Sequence, residues 1–466
     1  MNGRNDAAEA ARQREYISKI AAMISGEDLK YMVVTFGCQM NERDSEKIAG
    51  ALEQMGYSKA SSEEDADILV YNTCTVRENA DKRLYGRLGV CKQYKSRNRD
   101  MIIALCGCMM QEEGVIEKLR TSYPYVDVIF GTHNIFKFSE LLHSRLESGS
   151  RIIDIWKDTD EIVEDLPSLR RYPFKCGINI MYGCNNFCTY CIVPYVRGRE
   201  RSRDPLEILR EIERAASDGV SEIMLLGQNV NSYGRGLDTR TCFAELIKEA
   251  AEVEGIRRVR FMTSHPKDLS DELIDVIAQN EKIARHIHLP LQSGSDRILS
   301  AMNRHYTKSA YIALAQKIRQ RIPDVAITTD IIVGFPGETK TDVDDTIDVI
   351  EKVRFDGAFT FEYSPRTGTP AAAMPQLDKS FVQEGFDRVL SSVQRISKEQ
   401  IARYQGRVME VLIENEDEKD ASRYTGRISQ NHVVHFPKAD RHVGEYVQVS
   451  LDECMGFYYN GRVVFL

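Results

Sequence analysis

Short apolar, β-branched runs alternate with amphipathic helical stretches along most of this 466-residue chain, and this alternation restricts the fold more than any other feature. In residues 29–146 four strand–helix pairs follow one another. Repeated pairs of this kind form parallel sheets covered by helices, so we predict a doubly wound α/β domain. Strands are predicted at Tyr31–Gly37, Ala66–Asn72, Met101–Leu105 and Val126–Phe130, and helices at Asp44–Met55, Glu78–Tyr94, Glu112–Ser122 and Phe136–Leu146.

A second strand–helix series begins at about residue 170. It contains six strand candidates, fewer than the eight of a closed βα barrel, so we predict an open, partial (βα)6 barrel over residues 170–402. The strand candidates are Ile178–Tyr182, Glu222–Leu226, Arg257–Thr263, His286–Leu291, Ala326–Val333 and Ala358–Tyr363. The polar, acidic residues 147–169 are predicted to be a linker, and residues 1–28 a flexible N-terminal extension.

The pattern changes again at about residue 403, where short alternating strands are separated by glycines. This pattern predicts a small β-barrel of the oligonucleotide-binding kind over residues 403–466. The segment has 8 Lys and Arg against 10 Asp and Glu, so its bulk charge does not favour RNA. A local stripe of Arg423, Tyr424, Arg427 and His432 could bind RNA, and a solvated face is the alternative.

Three cysteines, Cys184, Cys188 and Cys191, form a C-x3-C-x2-C run directly after the first barrel strand. Three thiolates at this spacing can hold three irons of a [4Fe-4S] cluster and leave the fourth iron open to a small ligand. A structural zinc site would need four ligands, and no second C-x2-C pair follows. We therefore predict a catalytic iron–sulfur cluster at the mouth of the barrel, where the chemistry of such folds is located.

Three further cysteines lie at the ends of the first three predicted strands: Cys38, Cys74 and Cys108. The carboxyl ends of parallel strands line one crevice, so these thiols are expected to converge. They could form a second three-cysteine cluster site, or each could be a small buried apolar residue. Cys106 is two residues from Cys108, and the spacing does not choose between the two.

Composition excludes several classes of protein. The net charge of −8 argues against a general nucleic-acid binder, and no apolar run approaches the ~20 residues of a membrane span. Residues 1–28 lack the apolar core of a secretory signal. Eleven cysteines without such a signal favour cytoplasmic thiols and bound metal over a disulfide framework.

Four motifs together resemble the radical S-adenosylmethionine methylthiotransferases over nearly the whole chain. They are Gly37-Cys38-Gln39-Met40-Asn41, Asn72-Thr73-Cys74-Thr75-Val76-Arg77-Glu78, Gly107-Cys108-Met109-Met110-Gln111 and the C-x3-C-x2-C run. The variant at Gln39-Met40-Asn41 is similar to the branch that acts on isopentenyl-adenosine in tRNA, as are Leu225–Tyr233 and Arg197–Arg203. The C-terminal segment resembles a TRAM domain, an RNA-binding module.

The resemblance implies two [4Fe-4S] clusters and two molecules of S-adenosylmethionine per turnover. Cys184, Cys188 and Cys191 would hold the radical cluster, and Cys38, Cys74 and Cys108 an auxiliary cluster that carries the added sulfur. Carbon 2 of N6-isopentenyladenosine beside the anticodon of tRNA would be methylthiolated. An electron donor such as flavodoxin or ferredoxin and a sulfur source are also implied, and we expect a cytoplasmic monomer.

Other residues are assigned by position. Gln228, Ser264 and Asp330 lie at or near barrel strand ends and are predicted to contact S-adenosylmethionine. Arg197, Arg199, Arg201 and Arg203 would share one face of an extended segment and position phosphates, with salt bridges as the alternative. His265, His286 and His288 could approach the cofactor, although packing is the ordinary role, and the remaining cysteines are expected to be structural.

Two other functions fit parts of the sequence. The first is methylthiolation of another tRNA adenosine or of a ribosomal-protein aspartate, against which Gln39-Met40-Asn41 argues. The second is a non-enzymatic iron–sulfur or zinc-containing RNA-binding protein, which would have no need for a barrel of this size.

Overall fold

The computed structural model describes residues 2–75, 78–239 and 241–464, and the chain divides into two compact units. The N-terminal unit consists of Met1–Arg171, Tyr182–Asn185 and Cys191–Arg203. The C-terminal unit consists of Tyr172–Met181, Asn186–Tyr190 and Asp204–Leu466. In the part of the chain that is described, no helix has the length and apolarity needed to cross a membrane.

The helices are α1 (Asn2–Met23), α2 (Gln39–Met55), α3 (Glu78–Arg97), α4 (Glu113–Ser122), α5 (Phe138–Ser148), α6 (Val193–Arg197), α7 (Pro205–Ser217), α8 (Phe243–Glu252), α9 (Asp271–Gln279), α10 (Asp296–Ala301), α11 (Lys308–Arg321), α12 (Lys340–Val353) and α13 (Lys379–Ala402). The strands are β1 (Lys30–Phe36), β2 (Ser58–Lys59), β3 (Ile68–Thr73), β4 (Ile102–Gly107), β5 (Val128–Phe130), β6 (Ile152–Asp154), β7 (Lys175–Asn179), β8 (Met181–Tyr182), β9 (Arg201–Ser202), β10 (Glu222–Leu226), β11 (Arg258–Phe261), β12 (His286–His288), β13 (Ala326–Val333), β14 (Gly357–Glu362), β15 (Val408–Glu416), β16 (Arg423–Ile428), β17 (Val433–Pro437), β18 (Tyr446–Cys454) and β19 (Tyr458–Val463).

The N-terminal unit is built on a six-stranded parallel sheet in the order β2-β1-β3-β4-β5-β6. Apolar side chains of α1, α2 and α5 cover one face, and those of α3 and α4 cover the other. The prediction of a doubly wound sheet is confirmed. The strand order reverses between β1 and β3, because the chain first adds β2 outside β1 and then returns to the other side. A reversal of this kind leaves a crevice at the carboxyl ends of the two strands.

Two predictions for this unit were wrong. Residues 1–28 are not a flexible extension, because Ile17 and Ile20 of α1, and Ile24 directly after it, are buried in one hydrophobic cluster with residues of α2 and α5. These isoleucines recur at three- and four-residue spacing, which gives a narrow apolar stripe on an otherwise polar helix. The segment 147–169 is not only a linker, because it supplies the edge strand β6. The two-residue strand β2 also lay outside the predictions, since so short a run has no periodicity.

The C-terminal unit begins with two parallel sheets, β7-β10-β11 and β12-β13-β14. A parallel bridge between Val259 and Ile283 connects them, so the six strands follow one another in an open arc. Ile223, Ile287, Ile327 and Ile331 belong to one large hydrophobic core with residues of the surrounding helices. The open partial barrel is confirmed.

The last segment is a closed five-stranded barrel in the order β15-β16-β17-β19-β18. The strand register shifts at Ile413/Asn415 and at Leu451/Glu453, as it does at β-bulges. At Gly426 a Cβ atom would lie 2.4 Å from the carbonyl oxygen of Leu412, so only glycine permits this approach of β16 to β15. The predicted small β-barrel is confirmed.

Buried charges attach this five-stranded barrel to the partial barrel within the C-terminal unit. Arg260 donates to Glu222 (Nε–Oε2 3.1 Å) and to the carbonyl oxygens of Ile428 (2.8 Å) and Ser429 (3.1 Å). Arg258 donates to Glu222 (3.4 Å) and to the carbonyl of Arg427 (3.1 Å). Burial raises the pKa of Glu222, but Arg260, Arg258 and Lys175 lower it overall, so this buried carboxylate is ionised.

The turn after β13 contains a second buried carboxyl group. Glu338 accepts a hydrogen bond from the backbone N–H of Gly334 (2.5 Å) and is only 4% exposed. Burial raises the pKa of Glu338 to about 7, and the hydrogen bond from Gly334 only partly opposes this. The folded chain therefore holds a proton here that the unfolded chain releases near the ordinary value of 4.5.

We predict that Glu222→Gln lowers the free energy of unfolding by about 3 kcal/mol, because buried Arg260 loses its carboxylate partner and buried Arg258 keeps only the partly exposed Glu410. Denaturant unfolding of the cluster-free chain measures the effect. Glu384→Gln is the matched control, since its ion pair with Lys340 is solvent-exposed, and its unfolding midpoint should not move. Equal free energies of unfolding for the two variants would contradict the structural role of Glu222.

We also predict that the stabilisation due to Glu338 is full below pH 4.5 and is lost as the pH rises through about 7. The difference in unfolding free energy between the unmodified chain and Glu338→Gln should shrink by about 3 kcal/mol between pH 4.5 and about pH 8. Denaturant titrations across this range measure the difference. If the difference in unfolding free energy between the two proteins did not change with pH, the carboxyl group of Glu338 would not be buried in its neutral form.

Candidate iron–sulfur and cofactor site

Cys38, Cys74 and Cys108 lie at the carboxyl edge of the N-terminal sheet, each directly after a strand. Cys38 follows β1 and caps α2, Cys74 follows β3, and Cys108 begins a short turn after β4. The first two lie where the strand order reverses. Gly107 has a φ of 98°, and a Cβ there would lie 2.3 Å from the carbonyl oxygen of Thr73, so glycine lets the chain turn tightly into Cys108.

Two buried asparagines connect the turns that carry these cysteines. Asn41 accepts hydrogen bonds from the backbone N–H and the thiol of Cys38 (both 3.3 Å) and donates to Asn72 (3.0 Å). Asn72 in turn donates to the carbonyl oxygen of Asn41 (2.9 Å) and to Ser45 (3.1 Å). This reciprocal pairing explains why an asparagine follows Cys38 by three residues and another precedes Cys74 by two.

The three thiols are close enough to influence one another electrostatically. Burial raises the pKa of Cys108 to about 12, the Arg197 guanidinium opposes the rise, and Cys74 and Cys38 add to it. Cys106 is fully buried in the hydrophobic cluster that contacts α2 and α5, and burial raises its pKa well above the ordinary value. These placements support Cys108, rather than Cys106, as the third member of the set.

Arg197, at the end of α6, lies against Cys108 within the N-terminal unit. It donates from Nε to Cys108 Sγ (3.2 Å) and from Nη1 to Asp44 (3.4 Å), and it is 6% exposed. Among the described residues its buried Nη2 has no hydrogen-bond partner. Ile192 and Val196 pack against the same cysteine. The turn after β4 and helix α6 thus enclose Cys108 with a cation and apolar groups.

The prediction that four arginines share one face of an extended segment was wrong, and phosphate positioning by these residues stays a prediction. Arg197 belongs to α6 and Gly198 follows the helix, so only the later part of the segment, which includes β9, is extended. Arg201 donates to the carbonyl oxygen of Thr159, and Arg203 is buried. Arg199 is exposed, so it alone of the four keeps the predicted access to solvent.

Within the C-terminal unit, a set of hydrogen bonds fixes the middle of the C-x3-C-x2-C loop. Asn303 donates from its side chain to the carbonyl oxygens of Asn186 (3.0 Å) and Phe187 (3.1 Å), and Phe187 has a positive φ of 46°. Thr189 donates through its backbone N–H to Met302 (3.1 Å) and through its hydroxyl to Ala301 (2.8 Å). The loop therefore holds Cys188 in a defined position.

Cys188 is 6% exposed and accepts a hydrogen bond from Arg304 (Nη1–Sγ 3.5 Å). Arg304 also donates to Tyr306 (3.0 Å) and to the carbonyl oxygen of Pro290 (3.0 Å). Burial lowers the pKa of Arg304, but Tyr306, Tyr190 and Cys188 raise it overall, so the guanidinium stays charged. In the N-terminal unit, Cys184 donates through its backbone N–H to the carbonyl oxygen of Gly198 (3.1 Å).

The donor set suits iron–sulfur clusters better than single ions. In the ranges 2–75, 78–239 and 241–464, no three His, Cys, Asp or Glu side chains are gathered closely enough for one metal ion. Each cysteine of a cubane cluster binds a different iron, so its ligands need not surround one point. Cys74, Cys108 and Cys188 are buried, whereas Cys38, Cys184 and Cys191 are partly exposed. Thiols of these residues, and the orphaned buried donor of Arg197 beside Cys108, fit the chemistry of iron–sulfur ligation.

The residues predicted to contact S-adenosylmethionine all belong to the C-terminal unit. Gln228 follows β10 by two residues, and Ser264 is fully buried and donates to Asn231 (3.3 Å). Asp330 lies within β13 rather than at its end, and its carboxylate is 3.3 Å from His288 Nε2. The assignment of these three to the cofactor stays a prediction.

His265 has a feature that sequence reasoning did not identify. Its Nδ1 accepts from the backbone N–H of Lys267 (3.3 Å), so the proton is assigned to Nε2. Nε2 is buried and has no hydrogen-bond partner among the described residues. Burial and the nearby Arg304 lower the pKa of His265 to about 2, so the ring is neutral and offers one unused N–H.

The predicted stripe on the five-stranded barrel is not a continuous exposed surface, and RNA binding by Arg423 and Arg427 stays a prediction. Tyr424 and His432 are buried at 7% exposure each. Arg423 donates to the carbonyl of His435 (3.0 Å) and to Asn460 (2.7 Å), and Arg427 donates to Glu414 (3.1 Å). Both arginines therefore connect parts of the barrel. The alternation along β16 could not predict this, because it does not distinguish a solvent-exposed face from one covered by neighbouring strands.

Neither Arg197 nor Arg304 was identified as a partner of a cysteine. Arg197 could have been found only as the first of four alternating arginines, which pointed to a different role. Arg304 is 116 residues from Cys188 and carries no local sequence signal at all.

Comparison with known proteins agrees with this architecture. Residues 30–131 match the uncharacterized protein family UPF0004, residues 178–350 the Radical SAM superfamily, and residues 402–464 the TRAM domain. The chain is 54% identical over 449 residues to the tRNA-2-methylthio-N(6)-dimethylallyladenosine synthase of Lachnoclostridium phytofermentans, covering 96% of this chain and 98% of that protein. It is 50% identical to the synthase of the same name from Alkaliphilus oremlandii, covering 97% of this chain and 96% of that protein.

A solved structure shows the same fold at low identity. The radical S-adenosylmethionine methyltransferase TsrM of Kitasatospora setae superposes with a TM-score of 0.53 at 14% identity, covering 74% of this chain and 75% of that one. The expected resemblance to radical S-adenosylmethionine methylthiotransferases is confirmed by the full-length relatives. With its UPF0004, radical SAM and TRAM segments in that order, the chain belongs to the family of tRNA-2-methylthio-N(6)-dimethylallyladenosine synthases.

Proposed function

We propose that the protein methylthiolates carbon 2 of N6-isopentenyladenosine at position 37 of tRNA, giving 2-methylthio-N6-isopentenyladenosine. The observation that carries this proposal is the presence of two separate three-cysteine sets in a chain about half identical, over nearly its full length, to enzymes named for this product. One set can support radical generation and the other can carry the sulfur that is inserted. Both the name of the relatives and the TRAM segment favour tRNA as the substrate.

We assign Cys184, Cys188 and Cys191 to the radical cluster and Cys38, Cys74 and Cys108 to the auxiliary cluster. When bound, the two clusters and two molecules of S-adenosylmethionine supply the electron, the radical chemistry and the methylthio group. An aromatic C–H bond at carbon 2 has no acidic proton and no leaving group, so a radical route suits the reaction. A flavodoxin or ferredoxin as reductant, a sulfur source and a cytoplasmic, monomeric enzyme complete the proposal.

The residues of the chain hold and shield these groups. Asn41 and Asn72 fix the turns that present Cys38 and Cys74, and Asn303 fixes the loop of Cys188. The buried thiols of Cys108 and Cys188 are protected from water and oxygen by their surroundings. The unused Nε2–H of His265 is suited to donate to an acceptor on the cofactor or the base.

Position 37 lies in a single-stranded loop, where a base can be turned out of its stack more readily than in a duplex. The five-stranded barrel has a net charge of about −2, so its contribution to binding must come from local contacts rather than from a broad electrostatic attraction. We therefore expect a modest dependence of affinity on salt, with base and backbone contacts of the loop providing specificity.

Nucleoside mass spectrometry tests the proposal. Reconstituted protein, S-adenosylmethionine, a strong reductant and an isopentenylated anticodon stem-loop are incubated without oxygen. The expected product is the methylthiolated adenosine, accompanied by 5′-deoxyadenosine. Formation of 5′-deoxyadenosine with an unmodified RNA, even when sulfide is supplied, would contradict the assigned substrate.

We predict different losses in the two cysteine sets. Cys→Ala at Cys38, Cys74 or Cys108 should abolish modified RNA while 5′-deoxyadenosine is still formed, because only the sulfur-carrying cluster is removed. Cys→Ala at Cys184, Cys188 or Cys191 should abolish both products. Cys454→Ala, at the end of β18 in the five-stranded barrel, is the matched control and should retain both. Loss of 5′-deoxyadenosine in all six variants would contradict the division of labour.

A further inference from the structure

Each three-cysteine set contains one thiol that accepts a hydrogen bond from a buried arginine. In the N-terminal unit, Arg197 Nε is 3.2 Å from Cys108 Sγ. In the C-terminal unit, Arg304 Nη1 is 3.5 Å from Cys188 Sγ. Both arginines are less than 10% exposed. The same arrangement thus occurs twice, on unrelated parts of the chain.

A buried guanidinium needs a negative partner, since its charge is costly to remove from water. Besides Cys188, Arg304 donates to two uncharged oxygens, the hydroxyl of Tyr306 and the carbonyl of Pro290. A ligating cysteine is a thiolate, and its negative charge is the natural counter-ion here. Arg304 is therefore better satisfied when Cys188 carries a cluster than when Cys188 is a neutral thiol.

Arg197 differs in having a carboxylate partner, since Asp44 lies 3.4 Å from its Nη1 and is itself buried. It also has a buried Nη2 without a hydrogen-bond partner among the described residues. Orphaned buried donors are uncommon in folded proteins and point to an acceptor that is bound there. Sulfur of a cluster held by Cys108 is an acceptor of the right kind at this position.

We infer that Arg197 and Arg304 are positioning residues that hold one ligating thiolate each and set the reduction potential of the cluster bound there, Arg197 for the auxiliary cluster and Arg304 for the radical cluster. This inference rests on the proposed cluster assignment. Hydrogen bonds to sulfur and a nearby positive charge stabilise the reduced, more negative form of a cluster, so both raise its potential. Asp44 offsets part of the charge of Arg197, and the effect of Arg304 should therefore be the larger.

Redox titration followed by electron paramagnetic resonance tests this inference on full-length chains that retain one cluster each. Arg304→Gln and Arg304→Lys are made in a chain with Cys38, Cys74 and Cys108 changed to Ala. Arg197→Gln and Arg197→Lys are made in a chain with Cys184, Cys188 and Cys191 changed to Ala. Iron and sulfide contents are measured on every sample. No RNA is added, so a wrong RNA substrate would not affect the result.

Arg304→Gln is expected to change the redox equilibrium of the radical cluster at least tenfold. This corresponds to a fall of about 59 mV or more in its one-electron midpoint potential. Arg304→Lys keeps the positive charge but loses the planar guanidinium with its several donors, so the shift in midpoint potential should be smaller. Arg197→Gln should lower the potential of the auxiliary cluster by less, and Asp44→Asn should raise it. The control is Arg260→Gln, since Arg260 is equally buried but bonds Glu222 and carbonyl oxygens, and both potentials should stay unchanged.

Full iron content with unchanged potentials in both Gln variants would overturn the inference. Loss of a cluster from a Gln variant whose cluster-free chain melts normally, with the cluster retained in the Lys variant, would support the holding role. If both the Gln and the Lys variant at one position fail to fold even without a cluster, that arginine has a purely structural role and the inference is wrong there.

Discussion

Parallel strand pairing is the constraint that gathers the strand ends on which the proposed chemistry depends. In a parallel sheet all strands point the same way, so each segment that follows a strand begins at one edge. In the N-terminal unit this places Cys38, Cys74 and Cys108 together although 36 and 34 residues separate them in sequence. In the C-terminal unit it places the ends of β10, β11 and β12 at the mouth of the partial barrel. Helices pack against the faces of these sheets.

Buried cations in this protein satisfy their charge in two different ways. Arg258 and Arg260 share Glu222, Arg258 also pairs with Glu410, and carbonyl oxygens accept further hydrogen bonds, so two carboxylates balance the two guanidinium groups. Arg304 instead contacts a thiol and neutral oxygens, and Arg197 keeps one donor unused. The first arrangement suits a structural joint that must not change. The second arrangement suits sites where a bound group supplies the negative charge or the hydrogen-bond acceptor that the guanidinium lacks.

The sequence was sufficient to predict those parts of the fold that depend on periodicity and on the position of a residue relative to a strand. The strand–helix alternation predicted both the doubly wound sheet and the open barrel, and the strand ends predicted the convergence of Cys38, Cys74 and Cys108. Failures occurred where the role of a side chain depends on distant partners. Arg197, Arg423 and Arg427 were assigned to phosphate or RNA because their local spacing suggested it, whereas the structure shows contacts with Cys108, Asn460 and Glu414. The packing of residues 1–28 was missed because three isoleucines in a polar, helix-compatible segment give too weak a pattern.

The joint between the two barrels of the C-terminal unit has an evolutionary consequence. Apart from the ion pair between Arg258 and Glu410, Arg258 and Arg260 hold the five-stranded barrel through the carbonyl oxygens of Arg427, Ile428 and Ser429, which every amino acid possesses. Substitutions that preserve the backbone of this turn therefore leave those bonds intact, whatever side chains they introduce. The outward surface of the barrel can drift or adapt to a new ligand while its anchoring stays the same. Attachment and recognition are thus encoded by different atoms of the same segment, and selection can act on one without disturbing the other.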